Sequence, residues 1–264
     1  MTQVIATVEQ AAQWVQQTPD AGAEWNPVYR ALLDDPAHVP SEGPGSTPGA
    51  APDDASIDLV LRQLTAPALL VVAVTIGART RRLRLGLDPS GATIERADGD
   101  QPSQWTESAV AEVPAVITAF LEDVGVDLDP PRLDIRRRAE ARGLTPEQTR
   151  LARAALERGV PAEDAFTSLP GLDAALRDAL TAPGPRLSLA LTLHDPRGTV
   201  TELPVSWSRL WVTGTDSLYR MDQPAGPALE VHPVDGGDVL GTLLPILEQG
   251  VRFAAACAAS GGAR

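Results

Sequence analysis

Three histidines, one cysteine and a handful of adjacent carboxylates are the side chains best suited to chemistry in this 264-residue chain. Their spacing is unfavourable for it. His38, His194 and His232 are scattered, whereas a metal site wants several His, Cys or carboxylate ligands converging at recognisable intervals. His194 falls in a turn beside Asp195 and reads as half of a solvated pair; His232 reads as the end of a strand before Pro233. The pairs Asp34-Asp35, Asp53-Asp54 and Glu163-Asp164 can run acid–base chemistry only where burial separates their pKa values. Lying at turns and helix ends, they read instead as solvated faces and caps. No strand–turn–helix segment carries a dinucleotide fingerprint or a P-loop, and neither a G-x-S-x-G elbow nor an H-E-x-x-H pair occurs. All 22 basic residues are Arg, so a P-loop lysine, a Schiff base and a lysine general base are all ruled out. The expectation is a protein without enzymatic activity, cofactor or metal.

Charge narrows the partners. The net charge of −13 opposes docking onto nucleic acid or an anionic membrane. Two arginine clusters interrupt the acidic background: Arg79, Arg81, Arg82 and Arg84 in one, Arg136, Arg137 and Arg138 in the other. Each reads either as a solvated edge that resists strand-to-strand aggregation or as a basic patch for an acidic partner. Trp207 and Trp211 fall in strand-like runs and suit packing on a sheet, whereas Trp14, on a short N-terminal helix, suits an interface. Cys257 has no internal partner for a disulfide, which fits a reducing compartment. The N-terminus lacks a basic region followed by an apolar stretch, and no apolar run approaches the ~20 residues of a membrane span. A cytoplasmic chain without membrane insertion is expected.

The elements that carry these residues are duplicated. Leu64-Thr65-Ala66-Pro67 and Leu180-Thr181-Ala182-Pro183 each follow a short amphipathic helix, Ile57–Thr65 or Leu172–Thr181, and open an apolar run, Leu69–Ile76 or Leu187–Leu193. Phe120-Leu121-Glu122 and Ile246-Leu247-Glu248 sit in the helices that close the two copies. Leu64 and Leu180 are 116 residues apart, Leu121 and Leu247 126, so the second copy carries about ten extra loop residues. The nearly unbroken apolarity of Leu69–Ile76 suits a central strand buried on both faces. In Arg81–Leu87 the alternation turns Leu83, Leu85 and Leu87 inward and Arg82 and Arg84 to solvent. Strands are also expected at Thr93–Arg96, Trp105–Ser108, Val200–Trp207, Leu210–Thr213, Ser217–Met221 and Leu229–Val234. Helices are expected at 7–17, 27–34, Val113–Val124, from Thr145-Pro146 to Arg158, at 162–168, and from Asp238 towards Ala258. Short turns between strands imply antiparallel pairing. The fold class is α+β: two related halves with pseudo-two-fold symmetry, each an antiparallel sheet with flanking helices. The expected organisation is an N-terminal helical segment (1–39), a Pro/Gly-rich linker (40–56), a first half (57–143), connecting helices (144–171) and a second half (172–264).

On three segments the chain resembles the EspG-like family, cytosolic chaperones of type VII (ESX) secretion in actinobacteria. They are Ile57–Thr80 with Leu61-Arg62-Gln63-Leu64-Thr65-Ala66-Pro67, Leu187–Trp207 with Pro204-Val205-Ser206-Trp207, and Val231–Glu248 with Val231-His232-Pro233-Val234-Asp235. The likeness covers about residues 57–255, in organisation more than identity. It implies a quasi-two-fold α+β protein that binds the apolar tip of a helical PE–PPE-type secretion substrate and keeps it soluble for export, as a monomer or weak dimer without cofactor. It also implies that the loop Gly77–Arg82, with Arg79, Arg81 and Arg82, touches the partner, together with helix Asp238–Ala258. The first ~55 residues depart from the family, with acidic helices and a Pro-rich linker where a strand and helix would open the chain. An immunity-type or other protein-binding module is the alternative, and a small-molecule hydrolase or transferase a third.

Overall fold

The computed structural model describes residues 2–17, 24–34, 52–99, 101–126, 128, 142–182, 184–215, 217–222 and 229–261. The chain opens with strand β1 (Val4–Ala6), helices α1 (Val8–Gln16), α2 (Pro27–Asp34) and α3 (Asp54–Leu64), then strands β2 (Ala68–Ile76), β3 (Arg79–Asp88), β4 (Gly91–Asp98) and β5 (Ser103–Ser108), closed by α4 (Val113–Asp123). The second run is β6 (Arg142–Gly143), α5 (Pro146–Glu157), α6 (Ala162–Thr167), α7 (Ala174–Thr181), β7 (Arg186–Leu193), β8 (Val205–Thr213), β9 (Leu218–Asp222), β10 (Glu230–Val234) and α8 (Gly236–Gly261). Local chemistry sets many of these bounds. Thr7 and Thr145 close capping boxes with Gln10 and Gln148. Asp53 and Asp173 cap α3 and α7 through their carboxylates. The Asp88 carboxylate accepts the N–H groups of Ser90 and Gly91 and fixes the β3–β4 turn.

All the strands lie in one antiparallel sheet of order β1-β5-β4-β3-β2-β7-β8-β9-β10-β6. This corrects the expectation of a sheet in each half. β2 pairs with β7 along its length, from Ala68 opposite Leu193 to Thr75 opposite Arg186, and fuses the halves. The fusion has a plain cause: an apolar strand flanked only by β3 would leave a long row of unpaired backbone groups at an edge.

The sheet is covered on both faces. Ala68, Leu70, Val72 and Val74 of β2 join Leu83, Leu85 and Leu87 of β3 and Leu187, Leu189, Leu191 and Leu193 of β7 beneath α4 and α8. On the opposite face Leu69 and Trp105 pack with Tyr29, Leu59, Val60 and Leu64 of α2 and α3 and with Ala11 and Val15 of α1. Over the second half α5 and α7 pack with Tyr219 and Val231.

Several expectations change here. β1 is a strand on β5, Val4 opposite Trp105, and α1 follows it, so a strand and a helix do open the chain. β8 is continuous where two strands, Val200–Trp207 and Leu210–Thr213, were expected, because its whole length pairs with β7; residues 194–204 form the loop before it. α8 begins two residues ahead of Asp238, which lies inside its first turn and is not its cap. Trp14 packs half-buried against the core under α1 and keeps part of its surface exposed. The linker up to residue 51 and the cluster Arg136, Arg137 and Arg138 lie outside the described residues.

Candidate partner-binding surface

The β2–β3 hairpin turns at Gly77, whose φ of +58° suits a residue without a Cβ. Beyond it Arg79 donates from Nε and Nη2 to the two oxygens of Asp98, at 2.7 and 2.5 Å. That bidentate bond and the Asp98 charge raise the guanidinium's pKa, and the bond from Arg79 lowers that of Asp98. Arg81 reaches Asp123 at the end of α4 at 2.5 Å, lies 3.7 Å from Asp98, and stands 6.0 Å over the Phe120 ring. Arg79 and Arg81 therefore share a face and a carboxylate. Arg82, one residue out of step, projects from the opposite face, half-buried and registered with Ala73 and Ala97. The three expected contact residues are thus two on one face and one on the other. Of Arg79 and Arg81, Arg79 is the more open, its side chain 71% exposed.

Arg84 is not at the surface. It is buried, and Nη1 donates to Glu95 Oε1 at 2.5 Å. Ser103 donates to the same oxygen at 2.8 Å, and the Tyr29 hydroxyl to Oε2 at 2.7 Å. Gln63 Nε2 donates to the Tyr29 hydroxyl at 2.7 Å, while its Oε1 accepts the Gly86 N–H at 3.2 Å. Burial, and then the Glu95 charge, push the Tyr29 phenol well above its usual range. The alternation places Arg84 on the correct face of β3. What it omits is that α2 and α3 cover that face.

A second group of charges lies on the other half of the sheet. On β8, β9 and β10, Arg209, Arg220, Asp222, Glu230 and His232 share one face of the sheet, and Arg209 and Arg220 reach Thr242 and Asp238 in the first turns of α8. Arg220 donates to Asp222 at 2.9 Å and to Asp238 at 2.7 Å, Trp211 Nε1 donates to Asp238 at 2.9 Å, and Arg209 lies 5.3 Å over Trp207. His232 Nε2 lies 3.4 Å from Asp222 and 3.6 Å from Glu230. The signal is a period of two on three neighbouring strands, legible only once the strands are known to be neighbours.

From these residues α8 crosses the sheet. Gly250 admits it closely: a Cβ there would stand 2.7 Å from Leu87 Cδ1. By length and composition Gly236–Ser260 would suffice to cross a membrane, at a mean hydropathy of 1.2. A third of that stretch is buried, and its outer surface includes Leu244, 53% exposed. Between α4 and α8 lies an open pocket of about 360 Å³ lined by Thr118, Glu122, Val126 and Leu240.

At the far end of β7 the pair expected in solvent is buried. The Asp195 carboxylate accepts the N–H groups of Arg197 (3.0 Å) and Val200 (2.6 Å) and the Thr199 hydroxyl (3.0 Å). Burial opposes its charge, but these bonds prevail and bring its pKa to about 2. His194 Nε2 is the one buried side-chain polar atom without a hydrogen-bond partner among the described residues; it lies 3.9 Å from Glu24. Burial lowers the imidazole's pKa, with Glu24 and Asp195 pulling the other way.

Among the described residues no three His, Cys, Asp or Glu side chains form a group able to hold a metal ion. The described surface carries paired charges, the helix α8 and short apolar exposures. The sequence matches no protein-family profile and no curated protein. In structure the chain is similar to EspG5, a type VII secretion system chaperone of Mycobacterium tuberculosis solved in complex with a PE25–PPE41 dimer. The TM-score is 0.51 at 13% sequence identity, over 94% of this chain and 96% of that one, a likeness of fold.

Proposed function

We propose that this protein is a cytoplasmic chaperone or adaptor of an actinobacterial ESX system, binding a helical PE–PPE-type substrate of type VII secretion and keeping it soluble for export. The observation that carries this reading is the match of nearly the whole chain, end to end, to the fold of EspG5. The physics agrees. A helical substrate with an exposed apolar tip aggregates until the tip is covered. The outer face of α8 carries the exposed Leu244, Pro245, Ala255 and Ala258, with the Glu248–Arg252 pair as the charges among them, and suits such a tip. The role needs neither catalysis nor a cofactor, and one chain, as a monomer or weak dimer, serves one substrate.

In this reading the halves 57–143 and 172–264 are related by a rotation about an axis through the β2–β7 pair. The strand order supports it, running β2-β3-β4-β5 one way and β7-β8-β9-β10 the other. Superposition of 57–126 on 172–251 tests it, and a fit that fails to match β2 with β7 and β3 with β8 breaks it.

The hairpin arginines Arg79, Arg81 and Arg82 contribute to the contact. Since Arg79 and Arg81 already hold Asp98 and Asp123, a partner gains only what exceeds those pairs, and solvent-screened exposed pairs contribute little. Replacing all three by Ala should weaken binding of the PE–PPE-type dimers of the source genome by roughly five- to thirty-fold, in isothermal titration, as follows from losing about 1–2 kcal/mol. Unchanged affinity removes the hairpin from the interface.

A further inference from the structure

We propose that the β7–β8 loop is a second contact for the same helical partner, with Val200, Leu203 and Val205 packing on the partner's apolar tip. This rests on the chaperone reading above and adds a surface to it.

The two strand connections that follow the duplicated helices differ in kind. β2 returns through Gly77 and Ala78, whereas β7 returns through residues 194–204, which accounts for most of the extra length of the second copy. A long connection is ordinarily loose, but this one is built. Asp195 ties down Arg197, Thr199 and Val200, the Thr201 hydroxyl donates to the Leu203 carbonyl at 2.9 Å, and the His194 N–H donates to the Pro67 carbonyl at 2.8 Å at the foot of β2. Within six residues the ordered loop then presents Val200, Leu203 and Val205 at 39%, 75% and 50% exposure. Such a loop has already lost the conformational freedom that binding would otherwise remove. Exposed branched aliphatic side chains clustered on it gain nothing from water.

Two observations choose the occupant. A Cβ on Gly250 would stand near Leu191 and Ala68, so α8 passes over the end of β7 that leads into the loop; the Asp195 and Arg197 charges reach Cys257 there, and the exposed residues of the last turns include Ala255, Ala258 and Ala259. Loop and helix are thus neighbours, and the exposed Val200, Leu203 and Val205 add apolar surface to the part of α8 assigned to the substrate, beside the exposed charges Arg197 and Glu202. A second copy of this chain is disfavoured, since each copy carries a net charge of −13.

The test is isothermal titration of the whole chain and of its Val200→Ser/Leu203→Ser variant with purified PE–PPE-type dimers of the source genome. The wild type should bind one of them, and the variant should bind it at least about ten-fold more weakly with the same thermal midpoint, as expected for exposed anchors. If the double variant is destabilised, Leu203→Ser alone carries the test, Leu203 being the most exposed of the three. Equal affinity for wild type and variant overturns the loop contact and leaves the chaperone reading standing. A wild type that binds none of the dimers overturns both. A concentration-dependent homodimer in light scattering that the variant loses would assign the loop to self-association and overturn the proposal.

Discussion

Glu95 accepts three hydrogen bonds on two oxygens in a setting closed to water, from Arg84 and Ser103 on one and from Tyr29 on the other. Arg84 in turn lies 5.9 Å over the Tyr29 ring, and Tyr29 stacks at 6.4 Å on Trp105. The group ties α2, α3, β3, β4 and β5 together through one ion pair. A buried pair adds little over an apolar pair of the same shape, but removing one partner strands the other as an uncompensated charge. Arg84→Met should therefore cost about 3–5 kcal/mol in urea unfolding, and Arg84→Met with Glu95→Gln should recover part of it. Equal losses in the single and double variants would contradict the pairing. A residue of this kind is hard to read from sequence. The alternation Arg82-Leu83-Arg84-Leu85 divides the faces correctly, yet nothing near it in the chain says that Tyr29 and Gln63 come to sit on the polar one.

Among the elements, those with local causes were legible: the helices begun by Pro27 and Thr145-Pro146, the Asp88-Pro89-Ser90-Gly91 turn, and the two apolar runs now seen as β2 and β7. Those with distant causes were not. β1 is too short for periodicity to register and exists through its partner β5. The β2–β7 pairing joins strands more than a hundred residues apart, so two copies read as two sheets. Charge pairing hid likewise, since Asp98 and Asp123 meet the hairpin arginines only across strands and helices.

The loop 194–204 is the element most open to titration. Burial holds His194 below its ordinary 6.5, so its neutral form is favoured in the fold. That contribution is complete above pH 6.5 and is lost as the pH falls through and below it. Asp195 acts lower on the scale: its contribution is present above its ordinary 3.8 and is lost as the pH falls towards about 2. The charged groups around His194 are Glu24, Arg30 and Asp195. From about pH 7 to about pH 5 the urea midpoint should therefore fall, and His194→Phe should flatten that fall. An identical slope in wild type and variant would contradict the role given to His194.

The whole molecule is a single sheet clasped by helices on both faces, with the two closing helices side by side on one of them. In the proposed role, a partner would meet elements of both halves. The hairpin lies at one end of β2 and the β7–β8 loop at the other. A chaperone of this build needs only to cover an apolar tip until export, so its effect should be stoichiometric. The most direct measurement is the light scattering of a purified PE–PPE-type dimer of the source genome, followed as it aggregates with increasing amounts of this protein. The account predicts suppression that reaches a plateau at one chain per dimer. Scattering that is unaffected, or that declines without a stoichiometric plateau, would contradict it.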